Sequence, residues 1–209
     1  MAPGRAGGAA AGVSVNRGER RIDTALSPAA RPLATATAAE IASLLEAALR
    51  SRDGALGAHC IHELWMRGEF AVRIEAALAA LWRRAAASVP EWLPMRYIEW
   101  LPSAYEMALA LRASRRGRTN VYLVLLDFAD RRRGPYGVYV GMSGCTPAER
   151  FDQHKAGIHA AGSVLKRGLE VLTGPTLHLQ RLARAEAERI EAALARSLAD
   201  AGLLVEGGH

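Results

Sequence analysis

Hydrophobic positions follow two regimes along the chain. From Thr37 to about Ala110 they recur every three or four residues, the spacing of one helix face, whereas from Val121 to Val140 they run nearly consecutively, as in buried strands. In the first regime Thr37-Ala-Ala-Glu40 is a capping box that predicts a helix with Ile41, Leu44, Leu45, Ala48 and Leu49 inward. Gly54 and Gly57 read as its break. A second helix is predicted over about 60–67 and a third over about 69–87, with Phe70, Ile74, Leu78, Leu81 and Ala85 forming its stripe. Pro90, Pro94 and Pro102 punctuate the stretch that holds Trp92, Tyr97 and Trp100, aromatic rings better suited to packing than to base stacking. A second capping box, Ser103 to Glu106, predicts a helix that runs into the basic segment 112–118.

In the second regime Val121–Phe128 reads as an interior strand covered on both faces, and Gly137–Val140 as its antiparallel hairpin partner. Gly141 to Gly144 reads as a sharp turn. Thr146-Pro147-Ala148-Glu149 combines an N-cap, a proline at the first helical position and a capping glutamate, predicting a helix to about Lys155 that Gly157 ends. A third strand falls either near Leu169–Leu172 or over Thr176–Leu179. Leu182 to Ala201 is a long amphipathic helix with Ile190, Leu194 and Leu198 inward and Gly202 as its stop, followed by a short edge strand and tail. The pattern predicts an α+β chain: a small antiparallel three-stranded sheet flanked by helices over 119–209, preceded by an all-helical domain over 37–118. Residues 1–36, rich in Ala, Gly, Arg, Pro and Ser, lack the periodicity that offsets chain ordering and are expected to form a mobile tail.

Composition adds a sign of charge. Among 209 residues, 27 Lys and Arg outnumber 21 Asp and Glu, and the resulting +6 fits an anionic partner such as nucleic acid; Arg17, Arg20 and Arg21 of the tail could reach it. Two distant cysteines, Cys60 and Cys145, form no disulfide framework and fit a reducing cytosol. No apolar run approaches the roughly 18 residues of a bilayer span, and the N-terminus lacks the apolar core of a signal peptide. The expectation is a cytoplasmic protein with no membrane partner. His59, Cys60 and His62 lack a second ligand pair at zinc-like spacing, so no metal is expected there. Cys145 has no His or acid nearby in sequence to activate it as a nucleophile.

The chemistry concentrates in Gly137–His154, where Tyr139, a glycine-rich turn, and Arg150 and His154 four apart on one helix face suit the handling of a phosphate. Asn120-Val-Tyr122, then Tyr139-Val-Gly141, then Arg150 and His154, then Glu191 fall in order on strand, strand, helix and helix. Over residues 119–209 this series resembles the GIY-YIG nuclease domain, with the order and placement of short motifs carrying the likeness. The resemblance implies a metal-dependent endonuclease or nickase acting on DNA, with RNA as the alternative substrate. Glu191 would hold a single divalent ion, Mg2+ or Mn2+, and Arg150 would grip the phosphate through its planar fork. Tyr122 would accept or relay the proton of the attacking water, with Tyr139 and His154 orienting water and phosphate.

Two departures accompany the likeness. Asn120 stands where the first motif has glycine, and Gly207-Gly208-His209 occupies the region of a missing late asparagine, for which His209 is a candidate substitute. His159 is a candidate phosphate contact. Arg131, Arg132 and Arg133 in the hairpin loop, with Lys155, Lys166 and Arg167, are candidate nucleic-acid contacts. The helical domain is expected to bind substrate, a protein partner or a second copy of the chain. Competing readings are a catalytically silent nucleic-acid-binding module of the same fold and a helical interaction scaffold.

Overall fold

The computed structural model describes residues 22–114, 116–129 and 135–208; Arg17, Arg20, Arg21, Arg131, Arg132, Arg133 and His209 lie outside the described residues. Helix α1 (Ala38–Ser51) opens with the predicted capping box: Thr37 accepts from the Glu40 amide, and the Glu40 carboxylate accepts from the Thr37 amide at 2.7 Å. Helix α2 (Gly54–Met66) starts six residues before the expected Cys60, capped by Asp53 on the Leu56 amide. The two glycines read as a break are helical. A Cβ on Gly54 would lie 2.5 Å from the Ser88–Val89 backbone, and one on Gly57 would lie 2.4 Å from the Leu81 side chain. Close packing against α3 (Ala71–Ala85) and the turn after it therefore explains both residues.

In α3 the predicted stripe buries Ile74, Leu78, Leu81 and Ala85, whereas Phe70 caps the helix and is 74% exposed. Helix α4 (Leu101–Ala110) begins ahead of Ser103, with Pro102 in its first turn and no side-chain cap bond. The aromatic stretch packs as expected: Trp65 stacks on Tyr97 at 5.3 Å, and Trp100 Nε1 donates to the Tyr136 carbonyl. Burial pushes the proton affinity of His62 down to about 4, which keeps this ring neutral beside Tyr105.

Residues 22–36, grouped with the tail on composition, are docked on the helices. Leu33 packs with Ile41 and Cys60. Arg31 donates to the Glu63 carboxylate at 3.0 and 2.7 Å, and Arg67 donates to it at 2.6 Å while also bonding the carbonyls of Leu33 and Ala34. Scattered apolar residues, Ile22, Pro28, Leu33 and Ala36, and an ion cluster hold this segment, and neither leaves a periodic signal.

The rest of the chain forms β1 (Asn120–Asp127), β2 (Tyr136–Ser143), α5 (Pro147–Lys155), α6 (Gly162–Arg167), β3 (Gly168–Val171), α7 (Thr173–Thr176), α8 (Arg184–Asp200) and β4 (Val205–Gly207). The sheet order is β3-β1-β2-β4. β1 pairs antiparallel with β2 and β3, but β4 lies parallel to β2. The three-stranded antiparallel sheet is thus corrected to a four-stranded mixed one within the α+β class. The reason is α8, which carries the chain back so that residues 205–207 enter beside β2 in its own direction. Of the two third-strand candidates, the one near Leu169 pairs with β1, and Thr176 belongs to α7.

Residues 121–126 of β1 are at most 1% exposed because both faces are covered. Val121, Leu123 and Leu125 join Val138, Val140, Ile190 and Leu194 in a core continuous with Ile61, Ile74 and Leu81 of the helices. Tyr122, Val124 and Leu126 pack on the opposite face with Phe128 and Val164. At roughly 1.5–3 kcal/mol per fully buried large side chain, β1 is a rigid base for Tyr122. Among the described residues, no helix is long and apolar enough to cross a membrane.

Candidate active site

The β1–β2 register brings the tyrosines together. Tyr122 sits opposite Gly141, and Tyr139 lies one diagonal step away opposite Val124, so both rings rise from one face. Their centroids are 6.1 Å apart. Gly141 lies inside β2 and does not form the expected sharp turn: a Cβ there would meet Tyr139 at 2.5 Å and the Tyr122 hydroxyl at 2.8 Å. Its missing side chain is the space the two rings use. Gly141→Ala is expected to cost about 1–3 kcal/mol by overpacking, seen as a lower urea midpoint; an unchanged midpoint would mean that the rings have room to spare.

Helix α5 supplies the next two groups, and its start is locally encoded. Thr146 and Glu149 close a capping box, Pro147 occupies the first turn, and Gly157 at φ 79° follows the last turn. His154 is buried beneath the tyrosines, 5.8 Å from the Tyr139 ring, with Nε2 3.0 Å from the Tyr122 hydroxyl. Its Nδ1 accepts from the Ala161 amide at 2.9 Å. Arg150, half-buried, donates to Gln153 Oε1 and to the carbonyls of Ile158 and His159, the last at 2.7 Å. Glu191 is 7% exposed on α8, which packs on β2.

Electrostatics tie these groups into one site. Burial raises the proton affinity of Tyr122 well above that of an ordinary phenol; the adjoining Tyr139 adds to this and Arg150 opposes it. Tyr139 is also raised, first by burial and then by the negative charge of Glu191, which places that carboxylate within electrostatic reach of the phenol. His154 is held below its usual value by burial and by Arg150. At neutral pH the site therefore presents two protonated phenols and a neutral imidazole beside Arg150 and Glu191. Tyr139 is half-buried, whereas Tyr122 is 1% exposed and lies behind it.

The remaining candidates are more dispersed. Lys155 Nζ donates to the carbonyls of Leu165 and Gly168, closing the end of α6. Arg167 donates to the Asp127 carbonyl and lies 4.7 Å over the Phe128 ring. With Lys166, Asp127 and Ala129 it lines a surface cavity of about 390 Å³ beside the hairpin loop. Asp127 is five residues along β1 from Tyr122, roughly 16 Å at the usual rise, so this basic patch is separate from the tyrosine cluster. His159 is exposed and joins the site through its carbonyl.

Sequence reasoning missed three contributors. Asn120, read only as a replaced glycine, donates to the Cys145 carbonyl and accepts from the Arg181 amide, stitching the turn before α5 to the segment before α8. Gln153 braces Arg150. The backbone of residues 158–161 binds both Arg150 and His154, a role that residue types do not record. No protein-family model, curated protein or solved structure matches the chain.

Proposed function

We propose that the protein is a divalent-metal-dependent phosphodiesterase of the GIY-YIG type that nicks or cuts DNA. The supporting observation is the clustering of Tyr122, Tyr139 and His154, from β1, β2 and α5, with Arg150 of α5 and Glu191 of α8 within electrostatic reach of the phenols. Phosphodiester hydrolysis needs an oriented water, positive charge on the non-bridging oxygens and relief of charge on the leaving oxygen.

The half-buried Tyr139 hydroxyl would accept a hydrogen bond from the water, and Tyr122, buried behind it, would orient that phenol. Arg150 offers the phosphate a permanent charge on a planar fork. A site with one carboxylate would suit a hard ion that keeps most of its waters, so Glu191 is the residue that would hold Mg2+ or Mn2+; among the described residues there is no group of three or more His, Cys, Asp or Glu that could hold a metal ion. When bound, the metal supplies charge stabilisation at the leaving oxygen.

The test is supercoiled plasmid incubated with Mg2+ or Mn2+ and either the parent protein or Glu191→Ala. The parent is expected to produce nicked or linear DNA, and the variant to lose about a hundredfold in rate or more. Uncut plasmid with the parent, or equal cutting by both, overturns the reading. Salt-sensitive binding without cleavage would identify a silent nucleic-acid-binding module instead.

A further inference from the structure

We propose that the connection between α5 and α6, residues 156–161, is the positioning element of this site, aiming Arg150 and fixing His154 as the tautomer protonated on Nε2 through backbone groups alone. Gly157 and His159 both adopt left-handed conformations, φ 79° and 45°, which curl the peptide back over α5. The carbonyls of Ile158 and His159 then meet the Arg150 guanidinium at 3.2 and 2.7 Å, and the Ala161 amide meets His154 Nδ1 at 2.9 Å.

The amide contact determines the tautomer. An N–H can donate only to an unprotonated ring nitrogen, so the single proton of neutral His154 must reside on Nε2. That nitrogen is 3.0 Å from the Tyr122 oxygen and donates to it. Charging the ring would break the bond to Ala161, and burial and Arg150 oppose charging as well. Tyr122 thus accepts from His154, which turns its own proton away from the imidazole and leaves it for another acceptor, with Tyr139 as the adjoining phenol. His154 therefore cannot serve as the base that removes the Tyr122 proton. It is a positioning residue that orients the Tyr122 hydroxyl.

The same connection restricts Arg150. Both Nη1 protons and one on Nη2 are engaged by Gln153, Ile158 and His159, leaving Nε–H and one Nη2–H to address Tyr122 and a phosphate. The catalytic meaning of this arrangement rests on the phosphodiesterase reading; the tautomer does not.

The first measurement is a long-range 1H–15N correlation spectrum of the labelled full-length chain at neutral pH, with the His154 signals identified by their loss in His154→Gln. The expected pattern is a protonated Nε2 and an unprotonated Nδ1. A proton on Nδ1, or on both nitrogens, would overturn the proposal. In the second measurement Ala161→Pro removes the amide donor at a position whose φ of −67° already suits proline. With near-UV circular dichroism confirming the fold, the variant is expected to show a mixture of tautomers and plasmid nicking slowed roughly tenfold or more at unchanged DNA affinity. An unchanged tautomer would overturn the role given to the amide. Should the proline variant fail to fold, the parent spectrum still decides the matter. A parent with the expected tautomer that cuts no DNA would support the positioning and remove the nuclease reading.

Discussion

Replacing Arg31 and Arg67 together by alanine is expected to destabilise the protein by about 3–5 kcal/mol, the usual cost of stripping the partners from a buried charge. The Glu63 side chain is 2% exposed, whereas the side chains of Arg31 and Arg67 are 37% and 30% exposed. The asymmetry determines which substitution hurts. Glu63→Gln leaves two cations that can turn to water, and about 1–2 kcal/mol is expected from its lost hydrogen bonds. The double variant strands the carboxylate in the core and frees residues 31–34 from α2. Urea unfolding of both variants checks this ordering, and Glu63→Gln costing as much as the double variant would refute it.

The same comparison has a pH dependence of known sign. In the parent, burial pushes the Glu63 carboxyl upward but the two arginines outweigh it, holding the carboxyl below its ordinary value. A lowered folded value contributes stability above the unfolded value and loses it as pH falls through the folded one. Without the arginines only burial remains, so the folded value rises above the unfolded one and protonation stabilises the variant. The cost of the double substitution should therefore shrink as pH falls through the ordinary carboxylate range, about 4 to 5. A cost independent of pH would show that the carboxylate finds another partner.

Arg150→Ala is expected to reduce cleavage by about two to three orders of magnitude, the second large effect. On the phosphodiesterase reading, Arg150→Lys should stay within about tenfold of the alanine variant, because a single ammonium cannot both span the carbonyls of Ile158 and His159 and keep N–H donors directed at Tyr122 and a phosphate. Single-turnover nicking rates measure both, with thermal midpoints as the control for folding. Near-parental activity of the lysine variant would reduce Arg150 to a point charge and remove the role given to its carbonyl-held orientation.

Elements whose reason is local were legible in the amino-acid order. The α5 capping box, the buried stripe of α8 and the doubly covered β1 each announce themselves in adjacent residues, whereas Tyr122, Tyr139, Arg150, His154 and Glu191 stand out only by their order along the chain and the family resemblance it carries. What escaped depends on contacts between distant segments. Gly54 and Gly57 look like breakers until Ser88 and Leu81 press against them, and Gly141 looks like a turn until two tyrosines occupy its space. The parallel entry of β4 follows from the path of α8, and the docking of residues 22–36 from Arg31 meeting Glu63.

The parallel pairing of β4 also bears on handling the molecule. Glu206 is registered with Tyr139, a Cβ on Gly207 would lie 3.0 Å from the Tyr139 ring, and one on Gly208 would lie 3.9 Å from the Glu191 carbonyl. On the phosphodiesterase reading, an affinity tag or fusion partner joined at the carboxyl end would start close to Tyr139 and Glu191 and crowd out a DNA strand. Tags belong at the amino end, upstream of the segment that Arg31 anchors.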